Sequence, residues 1–244
     1  MRADGRFKDR VAIVTGASGG IGSAVCTRLA AEGARLVLVD RDAARAEIPA
    51  DSADVWCAPP TDVGHEDEVA AVFDGTMERS GRIDYVVNNA AVMTFKPIEA
   101  LTREDWYRVL DVNLLGAAYF TKHAFTAMRP GGSIVNVASV HAIQTSPLAA
   151  PYAAAKAALC SLTRTAAIEG KPKGIRVNAI LPGAVDTPML WDNPNVKSGA
   201  EQIAPAYVGA PADIAAAVAF LLSDDAAFVT GAGLVADGGG LASL

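Results

Sequence analysis

The run RVAIVTG (residues 10–16) constrains this chain more than any other stretch. Its apolar residues are consecutive, not alternating. A strand made from them is buried on both faces, as in a parallel sheet covered by helices on either side. The run stops at Gly16, and GGIGSAVCTRLAAEGA follows, with Ile21, Val25, Leu29 and Ala30 on one helical face. Gly33 is a natural stop for that helix. RLVLVD (35–40) is then a second apolar strand, ending at Asp40. Strand, helix and strand within about 30 residues form a βαβ unit, the crossover that parallel strands need.

The alternation persists to the end of the chain. DVWCAPP, IDYVVNN, GSIVNVAS, IRVNAILPG and GLVADGG read as further strands. Between them lie the helical stretches HEDEVAAVFDGTMERSG and REDWYRVLDVNLLGAAYFTKHAFTAM. The second is long enough for one long helix, turning Val109, Val112 and the Leu115 side toward a sheet. APYAAAKAALCSLTRTAAIEG and APADIAAAVAFLLSD are helices with Pro151 and Pro211 near their first turns. About seven strands with helices between them result, with no Ser-, Gly- or Pro-rich linker. We read residues 1–244 as a single doubly wound α/β domain, an about seven-stranded parallel sheet with helices on both faces. Residues 184–209 carry no assignable element. A long irregular stretch in a compact domain is usually functional, so we expect a substrate loop or lid there.

Composition narrows the partners. Of 244 residues, 27 are acidic and 21 basic, a formal charge of −6, and no Lys/Arg block occurs. Neither nucleic acid nor an anionic membrane surface is an expected partner. No segment has the uninterrupted apolar length of a membrane span. The charged start MRADGRFKDR is not followed by a signal-peptide core. Cys26, Cys57 and Cys160 are odd in number and match no metal spacing, so they read as buried or half-buried free thiols in a reducing cytoplasm, with no metal.

TGASGGIG places Gly16, Gly20 and Gly22 between the first strand and its helix. Glycines permit a tight turn and let the backbone approach a pyrophosphate, while the helix start offers unpaired N–H groups and partial positive charge. Asp40, 18 residues beyond Gly22, is placed to accept hydrogen bonds from both hydroxyls of an adenosine ribose. Its charge repels a 2′-phosphate. The adjacent Arg41 argues the other way, but Asp40 holds the ribose position, so NAD is expected over NADP. Asp62 and Val63 follow the third strand and suit an adenine ring; a helix cap is the alternative for Asp62. NNAA (88–91) ends the fourth strand with residues small enough for a cofactor to lie across it.

Tyr152 and Lys156 stand four apart in YAAAK and so share a helix face. A phenol, with a reference pKa of about 10, is a poor base at neutral pH. A nearby cation favours the tyrosinate. Bringing it near neutrality takes about three pH units, or roughly 4 kcal/mol, which one ammonium in a dry site, helped by a positively charged nicotinamide ring, can supply. Y-x-x-x-K alone is common on solvated helices; its setting gives it meaning. Ser139 closes the preceding strand and can orient a substrate oxygen. Asn113 sits in an apolar helix, where a buried amide needs a partner. It suits a backbone carbonyl or a water connecting to Lys156.

TGASGGIG, NNAA, Asn113, Ser139, YAAAK and PGAVDT occur in that order. Together they resemble the short-chain dehydrogenase/reductase family over nearly the whole chain. The resemblance implies a Rossmann-fold oxidoreductase using NAD or NADP. It implies Tyr152 as the catalytic acid/base, and Lys156 as the residue that lowers the tyrosine's pKa and holds the nicotinamide ribose. Ser139 would position the substrate oxygen and Asn113 would hold the water of a proton relay. Pro182, Gly183 and Thr187 would line the nicotinamide side, and Ser18, Ile21, Val185, Asn89, Ala90 and Ala91 would complete the cofactor contacts. Ala91 departs from the glycine more usual at that place. The family's habit further implies a homotetramer or homodimer, with the helices carrying Asn113 and Tyr152 at the contact and the C-terminal DGGGLASL as a further candidate.

The substrate end draws on the segments after the strands: Met93, Phe95, His141, Ile143, Gln144, Leu148, Met189, Leu190 and Trp191. His141 can bond a second substrate oxygen, or be a structural loop histidine. Trp191 can pack on a ligand or on a partner subunit. No basic cluster is present there for a phosphate or coenzyme A tail. A small secondary alcohol or ketone of the sugar, polyol or cyclic alcohol class is therefore expected. The alternatives are an NADPH-dependent 3-oxoacyl reductase and a non-catalytic cofactor-binding protein. A steroid would want a longer apolar lid.

Overall fold

The computed structural model describes residues 5–42 and 54–243. The opening run forms β1 (Val11–Thr15), followed by α1 (Gly20–Ala31) and β2 (Arg35–Val39). Gly33 reverses the chain between them at a φ of +92°, a conformation that costs glycine nothing. β3 (Val55–Cys57), α2 (Glu66–Ser80) and β4 (Tyr85–Asn88) repeat the pattern. α3 (Arg103–Leu110) and α4 (Gly116–Ala127) precede β5 (Ser133–Val137), and α5 (Ala150–Gly170) leads to β6 (Arg176–Pro182). The last part holds β7 (Ala184–Val185), α6 (Pro188–Trp191), α7 (Pro194–Lys197), β8 (Val208–Gly209), α8 (Pro211–Leu222) and β9 (Gly233–Ala236).

Seven strands pair in parallel in the order β3-β2-β1-β4-β5-β6-β9. This is the Rossmann order, extended by one strand. Each buried strand feeds two cores. Ala12 and Val14 of β1 face α1 and α8, meeting Val25, Leu29, Ile214 and Val218. Val11 and Ile13 face the other side, where α2, α4 and α5 bring Phe73, Phe120 and Ala166. Fully burying one such Val or Leu contributes about 1.5–3 kcal/mol, so both sides of the pattern are needed. A polar ladder also crosses this interior. Asn88 donates to Asn136 at 2.8 Å, and Asn136 donates to Thr163 at 2.8 Å, fixing α5 against β4 and β5.

Three expectations need correction. The long helix after β4 is divided: residues Asp111–Leu115 form a π-helical turn between α3 and α4. Val109 therefore packs against Tyr152 and Ala155 and not the sheet, Val112 joins the sheet-facing core, and Leu115 is exposed. Residues 184–209 are not irregular. β7 and β8 pair in parallel through Ala184 with Val208 and Val185 with Gly209, and two one-turn helices lie between them. Of the thiols, Cys26 is buried, with its pKa pushed up to about 12 by desolvation, and Cys160 is half-buried, but Cys57 is exposed at the end of the short β3. Among the described residues no helix is long and apolar enough to cross a membrane.

Candidate active site

The strand order reverses between β1 and β4, and the loops leaving their C-terminal ends diverge to open a crevice. A cavity of about 660 Å³ occupies it. Gly16 turns out of β1 at a φ of +62°; a β-carbon there would stand 2.9 Å from the Ala90 Cα. At Gly22 a β-carbon would come within 2.0 Å of the Gly16 carbonyl oxygen, so the loop can fold onto α1 only with glycine. α1 starts at Gly20 without a side-chain cap, which leaves its first N–H groups free for an anion. The Thr15 hydroxyl accepts from the N–H groups of Asn89 and Ala90, at 2.9 and 3.0 Å, and joins the two loops.

Asp40 ends β2 at the cavity. Its carboxylate accepts from the Ser18 N–H at 2.9 Å and the Arg41 N–H at 2.8 Å, so it also braces the glycine loop. The Asp62 side chain lines the cavity and accepts from the Gly64 N–H at 2.9 Å; it is not the cap of α2, a place that His65 takes. Uncapped N–H groups, a glycine cradle and a carboxylate beyond β2 together fit the pyrophosphate and ribose of a dinucleotide.

Ser139 follows β5, and Tyr152 and Lys156 lie in the first turns of α5; all three are buried and line the same cavity. The Lys156 Nζ donates to the Val137 carbonyl at 2.7 Å and lies 5.5 Å from the Tyr152 ring centre. Burial moves the two groups oppositely. Desolvation pushes Tyr152 up to about 12, against a lowering hydrogen bond from Ser139, and brings Lys156 down to about 8. The lowering of Tyr152 by Lys156 that the resemblance implies is not seen here, because the ammonium is turned to Val137 and is itself poorly solvated. Asn113 does not line the cavity. The π turn aims its amide at Val92, whose N–H it accepts at 2.8 Å and whose carbonyl it donates to at 2.9 Å. The backbone partner expected for it is thus Val92.

His141 lines the cavity, with its ring edge-on to Tyr152 at 5.6 Å and Nδ1 2.8 Å from the Thr145 hydroxyl. Burial lowers its pKa, and Glu201 opposes that. The remaining expected cofactor contacts, Ser18, Ile21, Arg41, Val63, Ala91, Pro182, Gly183, Val185 and Thr187, all line the cavity, as do Met93, Met189 and Leu190. Gln144 and Trp191 do not. Gln144 is exposed, and Trp191 turns its Nε1–H to Asp186 at 2.7 Å. Phe95, Ile143 and Leu148 also lie outside it. Sequence reasoning missed Thr61, Asn193, Glu201 and Ile203, which do line it. The last three sit in the stretch that shows no periodicity, so nothing local marks them.

The comparisons agree with this geometry. A family model described as enoyl-(acyl carrier protein) reductase matches residues 16–240. The chain is 40% identical to 3beta-hydroxysteroid dehydrogenase 1 of Eggerthella lenta, covering 96% of this chain and 94% of the relative. It is 41% identical to cis-4-hydroxycyclohexanecarboxylate dehydrogenase of Sinomonas cyclohexanicum, covering 96% and 97%. A short-chain dehydrogenase from Burkholderia cenocepacia, solved in complex with NADP, superposes with a TM-score of 0.87 at 32% identity, covering 96% and 98%. The chain belongs to the short-chain dehydrogenase/reductase family. These relatives are oxidoreductases, and the cavity of this family member unites a dinucleotide cradle with a buried phenol.

Proposed function

We propose that this protein is an NAD-dependent oxidoreductase that interconverts small secondary alcohols and ketones, of the sugar, polyol or cyclic alcohol class, in a reducing cytoplasm. The observation that carries this is the buried Tyr152 phenol, hydrogen-bonded by Ser139, in the cavity that the glycine loop opens. The glycine loop and the α1 N-terminus would hold the pyrophosphate, Asp40 the adenosine ribose, and Lys156 the nicotinamide ribose. Bound there, NAD(H) supplies the hydride acceptor or donor. Ser139 holds the substrate oxygen. Tyr152 gives its proton to that oxygen in reduction and takes the hydroxyl proton in oxidation. Lys156 spends one of its three N–H donors on Val137 and keeps two for the ribose. Asn113 fixes Val92, whose neighbours Ala91 and Met93 line the cavity.

Asp40 supports NAD, because a 2′-phosphate would meet a carboxylate held in place by two backbone N–H groups. Arg41 at the same rim supports the second reading, an NADPH-dependent ketone or 3-oxoacyl reductase. Fluorescence titration with NADH and with NADPH separates them. Tighter NADH binding is expected, together with NAD-dependent turnover of a cyclic secondary alcohol. Tighter NADPH binding would favour the reductase, and binding of neither would remove the enzyme reading.

A further inference from the structure

One group in the cavity is unused by the chemistry above. The Oε2 atom of Glu201 is buried and has no hydrogen-bond partner. A buried carboxylate oxygen left unpaired is costly, so its persistence calls for a donor from outside the chain. Its position is built, not incidental. The Glu201 N–H donates to the Asn195 carbonyl at 2.9 Å. Asn195 is buried, and its amide donates to the Pro147 carbonyl at 2.9 Å, while its N–H donates to the Asn193 side chain at 2.9 Å. That network ties the segment carrying Glu201 to the loop entering α5. Glu201 lines the same cavity as Ser139, His141 and Tyr152.

The histidine beside it does not satisfy this oxygen. His141 Nδ1 pairs with the Thr145 hydroxyl at 2.8 Å, and the Glu201 charge acts on the ring, but Glu201 Oε2 has no hydrogen-bond partner among the described residues. Met93, Met189, Leu190 and Ile203 contribute apolar wall to the same cavity. Arg41 belongs to the β2 end of the cavity and Lys156 is bonded to Val137, so neither is Glu201's partner.

We propose that Glu201 is a specificity-determining residue whose carboxylate accepts a hydrogen bond from a second hydroxyl of the substrate, which makes diols and polyols the preferred alcohols. This rests on the alcohol dehydrogenase reading of the same cavity. A site that holds an acceptor for a hydroxyl discriminates strongly against the analogue lacking it, whereas a purely apolar site does not.

The test compares cyclohexanol with the 1,2-, 1,3- and 1,4-cyclohexanediols as substrates of the wild type, Glu201→Gln and Glu201→Leu. In the wild type at least one diol is expected to exceed cyclohexanol in kcat/KM by about tenfold or more. That ratio falls to about one in Glu201→Leu, while Glu201→Gln, which keeps an acceptor oxygen, retains part of it. An unchanged ratio in Glu201→Leu overturns the proposal, as does a wild type without diol preference. An amino alcohol preferred over the diols would overturn the hydroxyl assignment. If no alcohol is turned over at all, the dehydrogenase reading fails first. Calorimetric titration of the NADH-loaded Tyr152→Phe protein with the same diols then still decides the matter. Binding weakened about tenfold by Glu201→Leu supports the role, and equal or absent binding overturns it.

Discussion

Tyr152 and Lys156 share a face of α5, and their burial sets how the site responds to pH. With its pKa near 12, Tyr152 is a protonated phenol at neutral pH, ready to donate to a carbonyl oxygen. Alcohol oxidation needs the opposite form. Its kcat/KM is expected to climb with pH between about 7 and 10, by up to about tenfold per pH unit, while ketone reduction stays nearly flat. Tyr152→Phe should lower both by about 10²–10⁴-fold. Steady-state profiles in the two directions check this, and an oxidation rate indifferent to pH would remove Tyr152 as the base. Lys156 gives a second pH signature. Its folded pKa, near 8, lies below the ordinary lysine value of 10.5, so folding releases a proton between those values. Stability from this group is missing below about pH 8 and returns as the pH rises to 10.5, a change of about 3 kcal/mol. Urea midpoints of wild type and Lys156→Met at pH 7.5 and 10.5 isolate it, because the lost bond to Val137 weighs on the variant at both. At this scale the sequence was readable where chemistry and spacing are local, as in Tyr152, Lys156 and Ser139. Glu201 was not, since its unpaired state exists only once the cavity is assembled.

The elements show the same division. Long apolar strands and Ala-rich helices declare themselves by period, and all seven sheet strands are legible that way. Two features are not. A π turn inserts one residue into a helix without changing composition, and strands of two residues or helices of four have no period to detect. Yet both shape the site. The π turn brings Asn113 to Val92, and the segment of short elements between β7 and β8 holds Met189, Asn193 and Glu201. Asn113→Ala leaves both backbone groups of Val92 without these partners. It is expected to cost about 1–3 kcal/mol and to reduce activity through the displaced Ala91–Met93 strand end. Trp191→Ala, at an exposed position off the cavity, should stay within about 0.5 kcal/mol of the wild type. Denaturant melts of the two variants compare them directly, and equal costs would refute the role given to the π turn.

Seen as a whole, the sheet ends unequally. β9 is an edge strand, and its Leu234 and Val235 remain exposed. Other large apolar side chains are exposed too: Phe220 in α8, Ile168 near the end of α5 at 74% exposure, and Phe228, which precedes β9 and is fully exposed. Gly231, just before β9, approaches the Ala167 side chain, so the Ile168 region and the edge are neighbours. Large apolar side chains exposed at an unpaired edge favour association, because edge strands that face water are normally short, charged or covered. The chain's own charge does nothing to protect this edge: Gly233–Ala236 holds no ionisable residue. We expect self-association through the β9 end, with the oligomer a dimer or tetramer according to whether a second surface joins. Sedimentation velocity at micromolar concentration should show a species at least twice the 25.1 kDa chain mass. Phe228→Asp, which puts a charge where the fully exposed ring stands, should shift that species toward monomer while leaving the fold's melting behaviour intact, since a side chain so exposed contributes little to the monomer's own core. A wild-type monomer, or an oligomer indifferent to Phe228→Asp and to an equivalent Ile168→Asp, would mean that the apolar edge is not the surface through which the protein assembles.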